Sequence, residues 1–383
     1  MTQPPGFIDR ARPTHVCLLR KALYGLKQAP RAWFQKLRQF LHHHHFVACK
    51  SDTSLFIRRH NGTTLYVLIY VDDLIISGSH STEIDTFVTA LNDAFTLRDL
   101  GDLHYFLGIE LKRSTSSIFL SQQKYITELL LRSKMHDARP IVSPAEPGSR
   151  LSNSGDPMAE PNLYRSVVGA LQYVTITRPE ISYVVNRVCQ FMHAPTDIHW
   201  QAVKRILRYL KGTISTGLHL RPCTDNRLVA FSDAGWASDI DDCRSQHGFA
   251  IYYGGNLISW ASKKQHVVAK SSTEAEYRAI AFTSTELIWI QQLLRELQAP
   301  LNIPPILLCD NLSATYMVAN PVFHQRSKHI KIDYHFVREQ VADGSLIVRH
   351  VPTLDQIADI FTKAVGNSRF TSLRSKLHVD QSP

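Results

Sequence analysis

Acids recur where apolar runs end in this 383-residue chain, and two of them are adjacent. Leu65-Tyr66-Val67-Leu68-Ile69-Tyr70-Val71 leads into Asp72-Asp73, and Leu74-Ile75-Ile76 follows before Ser77-Gly78. The pattern predicts a hairpin with a carboxylate pair at its tip. Like charges about 4 Å apart repel by roughly 4 kcal/mol at an effective dielectric near 20. A bound divalent cation would remove that repulsion and use it. The alternative is an ordinary tight turn, where Asp is a favoured residue. Further on, residues 228–232 end in Asp233 and residues 306–309 end in Asp310. Glu274 and Glu276 sit at the start of a helix, and Asp359 at the start of a closing helix. Each of these acids also has a local explanation, such as helix capping for either glutamate.

The elements that must position these acids follow from periodicity. From Pro30, the spacing of Trp33, Leu37, Phe40 and Leu41 gives one apolar helical face, with Pro suited to its first turn. The N-terminal amides of that helix can face an anion, flanked by Gln28 and Arg31. Residues 121–136 have helical spacing, and residues 137–162, rich in Pro, Gly and Ser, read as a linker. Residues 163–212 read as two or three helices. In the last of them Val203, Ile206, Leu207 and Leu210 make one face, and Lys204, Arg208 and Lys211 a basic stripe suited to a nucleic-acid backbone. From Leu228 the pattern turns to strands, with a hairpin over 248–260 turning on glycines.

Composition narrows the partners. Forty-three Lys and Arg against thirty-three Asp and Glu give a net charge of +10, which points to a polyanion and most simply to nucleic acid. Six cysteines without C-x-x-C spacing read as reduced core thiols of a cytosolic or nuclear protein, not a disulfide framework or zinc site. Apolar runs fall well short of about 20 residues, so no membrane span is expected. His42 to His45 read as a solvated face of the first helix.

The string Leu23-Tyr24-Gly25-Leu26-Lys27-Gln28-Ala29-Pro30-Arg31-Ala32-Trp33-Phe34, followed by Tyr70-Val71-Asp72-Asp73, resembles the palm of copia-type LTR retrotransposon reverse transcriptases. Residues 99–110 resemble that family's next strand and primer-grip hairpin, and 121–136 its thumb. The resemblance implies that Asp72 and Asp73 belong to the metal-binding catalytic set, with Gln28 and Arg31 near template and incoming nucleotide. In that family a further palm aspartate precedes the Gln3-Pro4-Pro5-Gly6-Phe7 turn with which this chain opens. Hydrolysis, rather than unaided RNA-directed DNA polymerisation, is therefore the expected activity.

Asp233, Glu276, Asp310 and Asp359, in that order, resemble the acidic set of ribonuclease H and by that resemblance are the ligands of two Mg²⁺ or Mn²⁺ ions. Phosphodiester hydrolysis uses one ion to activate water and another on the departing oxygen. Glu276 is chosen over Glu274 because Ala279-Ile280 follows it at the family's spacing. His350 matches the family's mobile histidine, and Arg326, Lys328 and His329 lie in a basic, aromatic stretch suited to gripping a hybrid. Gly235 stands where the family usually has an acid, and Cys243, Gln246 and His247 interrupt its usual Arg-Arg-Ser-Thr-Ser-Gly run.

The expected fold is a multidomain α+β and α/β chain. It comprises a partial palm and thumb over 1–136, a linker over 137–162, a helical connection over 163–222 and a ribonuclease H-like mixed sheet with helices over 223–383. The expected function is metal-dependent cleavage of RNA in RNA–DNA hybrids, with hybrid and primer–template as partners. The expected location is the cytoplasm, within the family's virus-like particle, or the nucleus. The alternative is a nucleic-acid-binding remnant without catalysis. A transposase or integrase with a similar acidic fold has no place for the Tyr70-Val71-Asp72-Asp73 string.

Overall fold

A computed structural model describes residues 1–20, 23, 25–319 and 330–382. Its contacts group the chain into two compact units, Met1–Gly101 and Asp102–Pro383. This differs from the four-part division read from the sequence, because strands from distant stretches share one sheet in the second unit.

In the first unit, helix α1 (Ala29–His43) carries Pro30 in its first turn, as its spacing predicts, and buries Leu37 and Leu41. Strands β1 (Val47–Ala48), β2 (Leu55–His60), β3 (Thr63–Tyr70) and β4 (Asp73–Gly78) form an antiparallel sheet in that order, and α2 (Ser81–Ala94) follows. In β3 the alternating residues Leu65, Val67 and Ile69 are buried against Leu37, Leu41, Phe56 and Phe87. One face of the sheet is thus core, which fixes its register. His42 and His43 end α1, while His44 folds back on Phe40, with ring centroids 4.3 Å apart.

The second unit opens with β5 (Tyr105–Phe106), β6 (Ile109–Arg113), β7 (Ile118–Ser121) and α3 (Gln123–Arg132). Helices α4 (Pro161–Val174), α5 (Ser182–Cys189) and α6 (Asp197–Gly212) come next, then β8 (Thr216–Leu220). β9 (Leu228–Gly235), β10 (Gln246–Tyr253), β11 (Asn256–Lys264), α7 (Ser272–Glu296), β12 (Ile306–Cys309) and α8 (Leu312–Ala319) carry the chain on. It closes with α9 (Lys331–Ala342), β13 (Ile347–His350), α10 (Asn367–Lys376) and β14 (Val379–Gln381).

Two five-stranded sheets result. The expected mixed sheet is present, ordered β11-β10-β9-β12-β13, antiparallel through β9 and parallel from β9 to β13. The other is β14-β8-β7-β6-β5, assembled from residues 105–121, 216–220 and 379–381. The β10–β11 turn is Gly254-Gly255, both at positive φ (56° and 80°), as a two-residue hairpin loop requires. The residues read as linker lie against the helices. Arg208 Nε donates to the Arg139 carbonyl at 2.8 Å, and Arg187 Nη2 to the Leu151 carbonyl at 3.0 Å. Of the cysteines read as core thiols, Cys49 and Cys309 are buried and Cys189 half-buried, but Cys17, Cys223 and Cys243 are exposed. Among the described residues no helix is long and apolar enough to cross a membrane.

Candidate nuclease centre

Asp233 lies inside β9, not at its exit, since the strand continues to Gly235. Its neighbour in the register is Gly248 of β10. A Cβ at that glycine would meet Phe361 Cβ at 2.5 Å, so the missing side chain admits the segment Ile357–Phe361 against the sheet. That segment is a 3₁₀ turn, which corrects the closing helix expected at Asp359. Pro352 stands just upstream, and the next α-helix starts only at Asn367. One buried side chain ties the turn to β9 and caps it: Gln356 Nε2 donates to the Ser232 carbonyl at 2.9 Å, and Gln356 Oε1 accepts from Ala358 N at 3.1 Å.

Asp310 follows β12, whose pairing with β9 sets Cys309 beside Ser232. Carboxylate oxygens of Asp233, Asp310 and Asp359 lie within 4.8 Å of one another. A second group within the same limit joins Glu276, Cys309 and Asp310. Asp310 belongs to both, so the four acids read from the sequence converge at one end of the mixed sheet. Glu276 sits one turn into α7 and is buried. Glu274 faces elsewhere: its oxygens accept from Lys270 N at 2.8 Å and from Arg278 Nη2 at 3.0 Å.

Burial shapes the electrostatics. Desolvation pushes the Asp233 carboxyl above its ordinary value, aided by Asp359 and Asp310 and opposed by Lys363 and a hydrogen bond from Thr362. Desolvation, then Asp233 and Asp310, pushes Glu276 well up. The Cys309 thiol is likewise raised by its burial and by Glu276. Within the cluster, Lys363 Nζ lies 2.7 Å from Asp359 Oδ1 and 3.3 Å from Asp233, while Thr362 Oγ1 donates to Asp233 Oδ2. Arg369 reaches Asp359 Oδ2 at 3.4 Å. Oxygen donors in this number suit a hard divalent cation such as Mg²⁺ or Mn²⁺. A cation already drawn onto two of the carboxylates fits that chemistry.

A pH dependence follows. The raised carboxyls of Asp233 and Glu276 bind more protons folded than unfolded, so their contribution to stability is full below their unfolded values (3.8 and 4.5) and is lost as pH rises through the folded ones. The melting-temperature gap between Mg²⁺ and EDTA samples should therefore widen as pH rises from 5 to 8. Taking that difference cancels His247, which burial lowers to about 4. A gap independent of pH would show that these acids carry no linked protons.

The other expected site residues are dispersed. His350 ends β13, exposed and opposite Cys309 in the register. Asp72 lies in the loop between β3 and β4, and Asp73 is the first residue of β4. Both are exposed, and neither belongs to a metal-sized cluster among the described residues. Their loop begins at Val71, at φ 51°, a conformation that costs a β-branched residue energy. Trp33 Nε1 donates to its carbonyl at 3.1 Å. Gln28 and Arg31 are exposed at the start of α1. Lys204 is exposed, while Arg208 and Lys211 are half-buried. Lys204 and Arg208 border a cleft of about 530 Å³ that Arg150, Arg187 and Arg205 also line. Arg326, Lys328 and His329 lie outside the described residues. Sequence reasoning missed Gln356, Thr362 and Lys363. The spacing of Lys363 four residues after Asp359 is also that of an ordinary helix ion pair, so it does not single out a site residue.

Residues 1–147 match the family profile described as reverse transcriptase (RNA-dependent DNA polymerase). The "Retrovirus-related Pol polyprotein from transposon RE1" of Arabidopsis thaliana is 52% identical over 384 residues, covering 100% of this chain and 26% of that protein. A transposon Ty5-1 protein of Saccharomyces cerevisiae is 31% identical over 289 residues, 74% of this chain and 94% of that protein. The chain belongs to the copia-type retrotransposon Pol family. As a Pol segment it spans about a quarter (26%) of the length of the plant polyproteins it matches. Among solved structures, a foamy viral protease-reverse transcriptase in complex with RNA/DNA hybrid has a TM-score of 0.50 at 12% identity. It covers 90% of this Pol chain and 40% of that chain, a likeness of fold.

Proposed function

We propose that the second unit of this Pol segment is a metal-dependent ribonuclease H that hydrolyses the RNA strand of RNA–DNA hybrids. The observation that carries this reading is the convergence of Asp233, Glu276, Asp310 and Asp359. These four would hold two Mg²⁺ or Mn²⁺ ions. Bound there, the ions supply an activated water and charge stabilisation for the departing 3′ oxygen. The chain's own residues do the rest. Thr362 fixes the orientation of Asp233, Gln356 pins the turn that carries Asp359, and Asn311 caps α8 by accepting from Ala314 N at 2.9 Å, holding the exit from Asp310. His350, which ends the strand paired with β12, would carry a proton as product leaves, a role that its register opposite Cys309 supports. The basic border of the 530 Å³ cleft, with Lys204 and Arg208, tracks the phosphate backbone.

The test is cleavage of an end-labelled RNA strand annealed to DNA. Cleavage with Mg²⁺ or Mn²⁺, suppressed by EDTA and absent on duplex DNA, is the expected result. A folded chain that binds hybrid and never cuts it would leave the remnant reading instead. A second reading, polymerisation by the first unit, draws on the reverse transcriptase profile over residues 1–147 and on the exposed Asp72-Asp73 loop. Primer extension on an RNA template, lost in Asp72→Asn, tests it.

A further inference from the structure

Lys363 stands out as a cation among ligands. Its Nζ touches Asp359 Oδ1 at 2.7 Å and Asp233 at 3.3 Å, two of the three acids whose oxygens lie within 4.8 Å of one another. An ammonium proton takes one lone pair of the carboxylate oxygen it meets, and its positive charge repels any metal ion drawn to the others. The two cations therefore compete. Asp233 and Asp359 are buried, whereas 42% of the Lys363 side chain is exposed, so the ammonium has water to return to. Its backbone is fixed, with Lys363 N donating to the Asp359 carbonyl at 3.0 Å. Only the flexible four-carbon stem need move. The contrast within the same unit is Arg178–Glu180, an ion pair with both side chains at 0% exposure and nowhere to go.

We propose that Lys363 is the exchangeable counter-cation of this site: it neutralises Asp233 and Asp359 until a divalent cation enters, must leave them for that cation to bind, and so sets the affinity for metal. The proposal rests on the ribonuclease H reading of the four acids. A planar guanidinium would grip the same carboxylates more firmly than an ammonium, so the two substitutions Lys363→Met and Lys363→Arg should act in opposite directions.

Direct titration of Mn²⁺ into the full chain, reading free Mn²⁺ by electron paramagnetic resonance, tests this without any turnover. Removing a unit charge a few ångströms from the ion should tighten Mn²⁺ binding by about tenfold or more in Lys363→Met, while Lys363→Arg weakens it several-fold and Asp233→Asn abolishes it. In the wild-type chain the ¹⁵N-labelled Lys363 ammonium signal should shift on Mg²⁺ saturation. Binding by Lys363→Met that is equal to or weaker than wild type overturns the counter-cation role while leaving the metal site intact. No Mn²⁺ bound by the wild-type chain at all removes the ribonuclease H reading itself. If Lys363→Met does not fold, the wild-type signal decides: a Lys363 ammonium unmoved by saturating Mg²⁺ contradicts the proposal.

Discussion

Asp233→Asn should abolish hybrid cleavage and, in the same protein, raise the melting temperature measured in EDTA. The two effects share one cause. Asp233 is 1% exposed, and its charge is opposed by desolvation and by Asp359 and Asp310. The amide keeps the shape of the carboxylate, so its oxygen can still accept from Thr362. Lys363 keeps Asp359 as a partner at 2.7 Å. What disappears is one negative charge of a crowded set. If metal coordination contributes several kcal/mol to the transition state, cleavage falls by about three orders of magnitude. The relief of repulsion should raise the metal-free melting temperature by roughly 2–4 °C, the shift expected for about 1 kcal/mol in a domain of this size. Added Mg²⁺ should no longer stabilise the variant. Loss of activity with a lowered melting temperature would mean that Asp233 is a structural residue.

The largest stability effect is expected at Arg178. Its guanidinium is wholly buried and bonded at all three nitrogens: Nε donates to Glu180 Oε1 at 2.7 Å, Nη1 to the Thr213 carbonyl at 2.9 Å and Nη2 to Thr213 Oγ1 at 2.7 Å. Tyr209 OH donates to the same Glu180 oxygen at 3.0 Å, and the Arg178 cation stands 5.4 Å from the Tyr209 ring centroid. The group ties the turn after α4 to the end of α6. Arg178→Met strands Glu180 in the core, and removing one member of a buried pair costs about 3–5 kcal/mol. In a domain of this size that is roughly 10 °C or more of melting temperature. The double variant Arg178→Met with Glu180→Leu should recover much of the loss, because apolar replacement of a buried pair is often neutral. A single variant that costs less than about 1 kcal/mol would show that the pair is dispensable.

Elements with a local signal were legible in the sequence. The hairpin around Asp72-Asp73 showed as two apolar runs, α1 as a period anchored by Pro30, and the β10–β11 turn as Gly254-Gly255. The sheet β14-β8-β7-β6-β5 was not legible. Its strands are short, and residues 379–381 pair with 216–218 about 160 residues earlier, a partnership no local pattern encodes. Asp359 was found, but its 3₁₀ turn was read as a helix. The apolar spacing of Ile357, Ile360 and Phe361 suits either, and the vacancy at Gly248 that admits the turn against the sheet is a tertiary fact. The acids of the site could be listed in order because each stands close to the end of an apolar run or the start of a helical turn, although Asp233 proves to lie inside β9. Lys363 could not be placed among them, since a lysine four residues after an aspartate reads as a surface helix pair. Glu276 and Glu274 differ by two residues, and only the direction of α7 separates a buried member of the cluster from one that pairs with Arg278.

The central question is whether these four carboxylates hold metal together. Crystals of the chain grown with Mn²⁺ and measured near the manganese absorption edge would answer directly. Two anomalous peaks about 3.5–4 Å apart are expected among Asp233, Glu276, Asp310 and Asp359, with Lys363 displaced from Asp233. A well-ordered site with no peak inside that set would contradict the ribonuclease H reading.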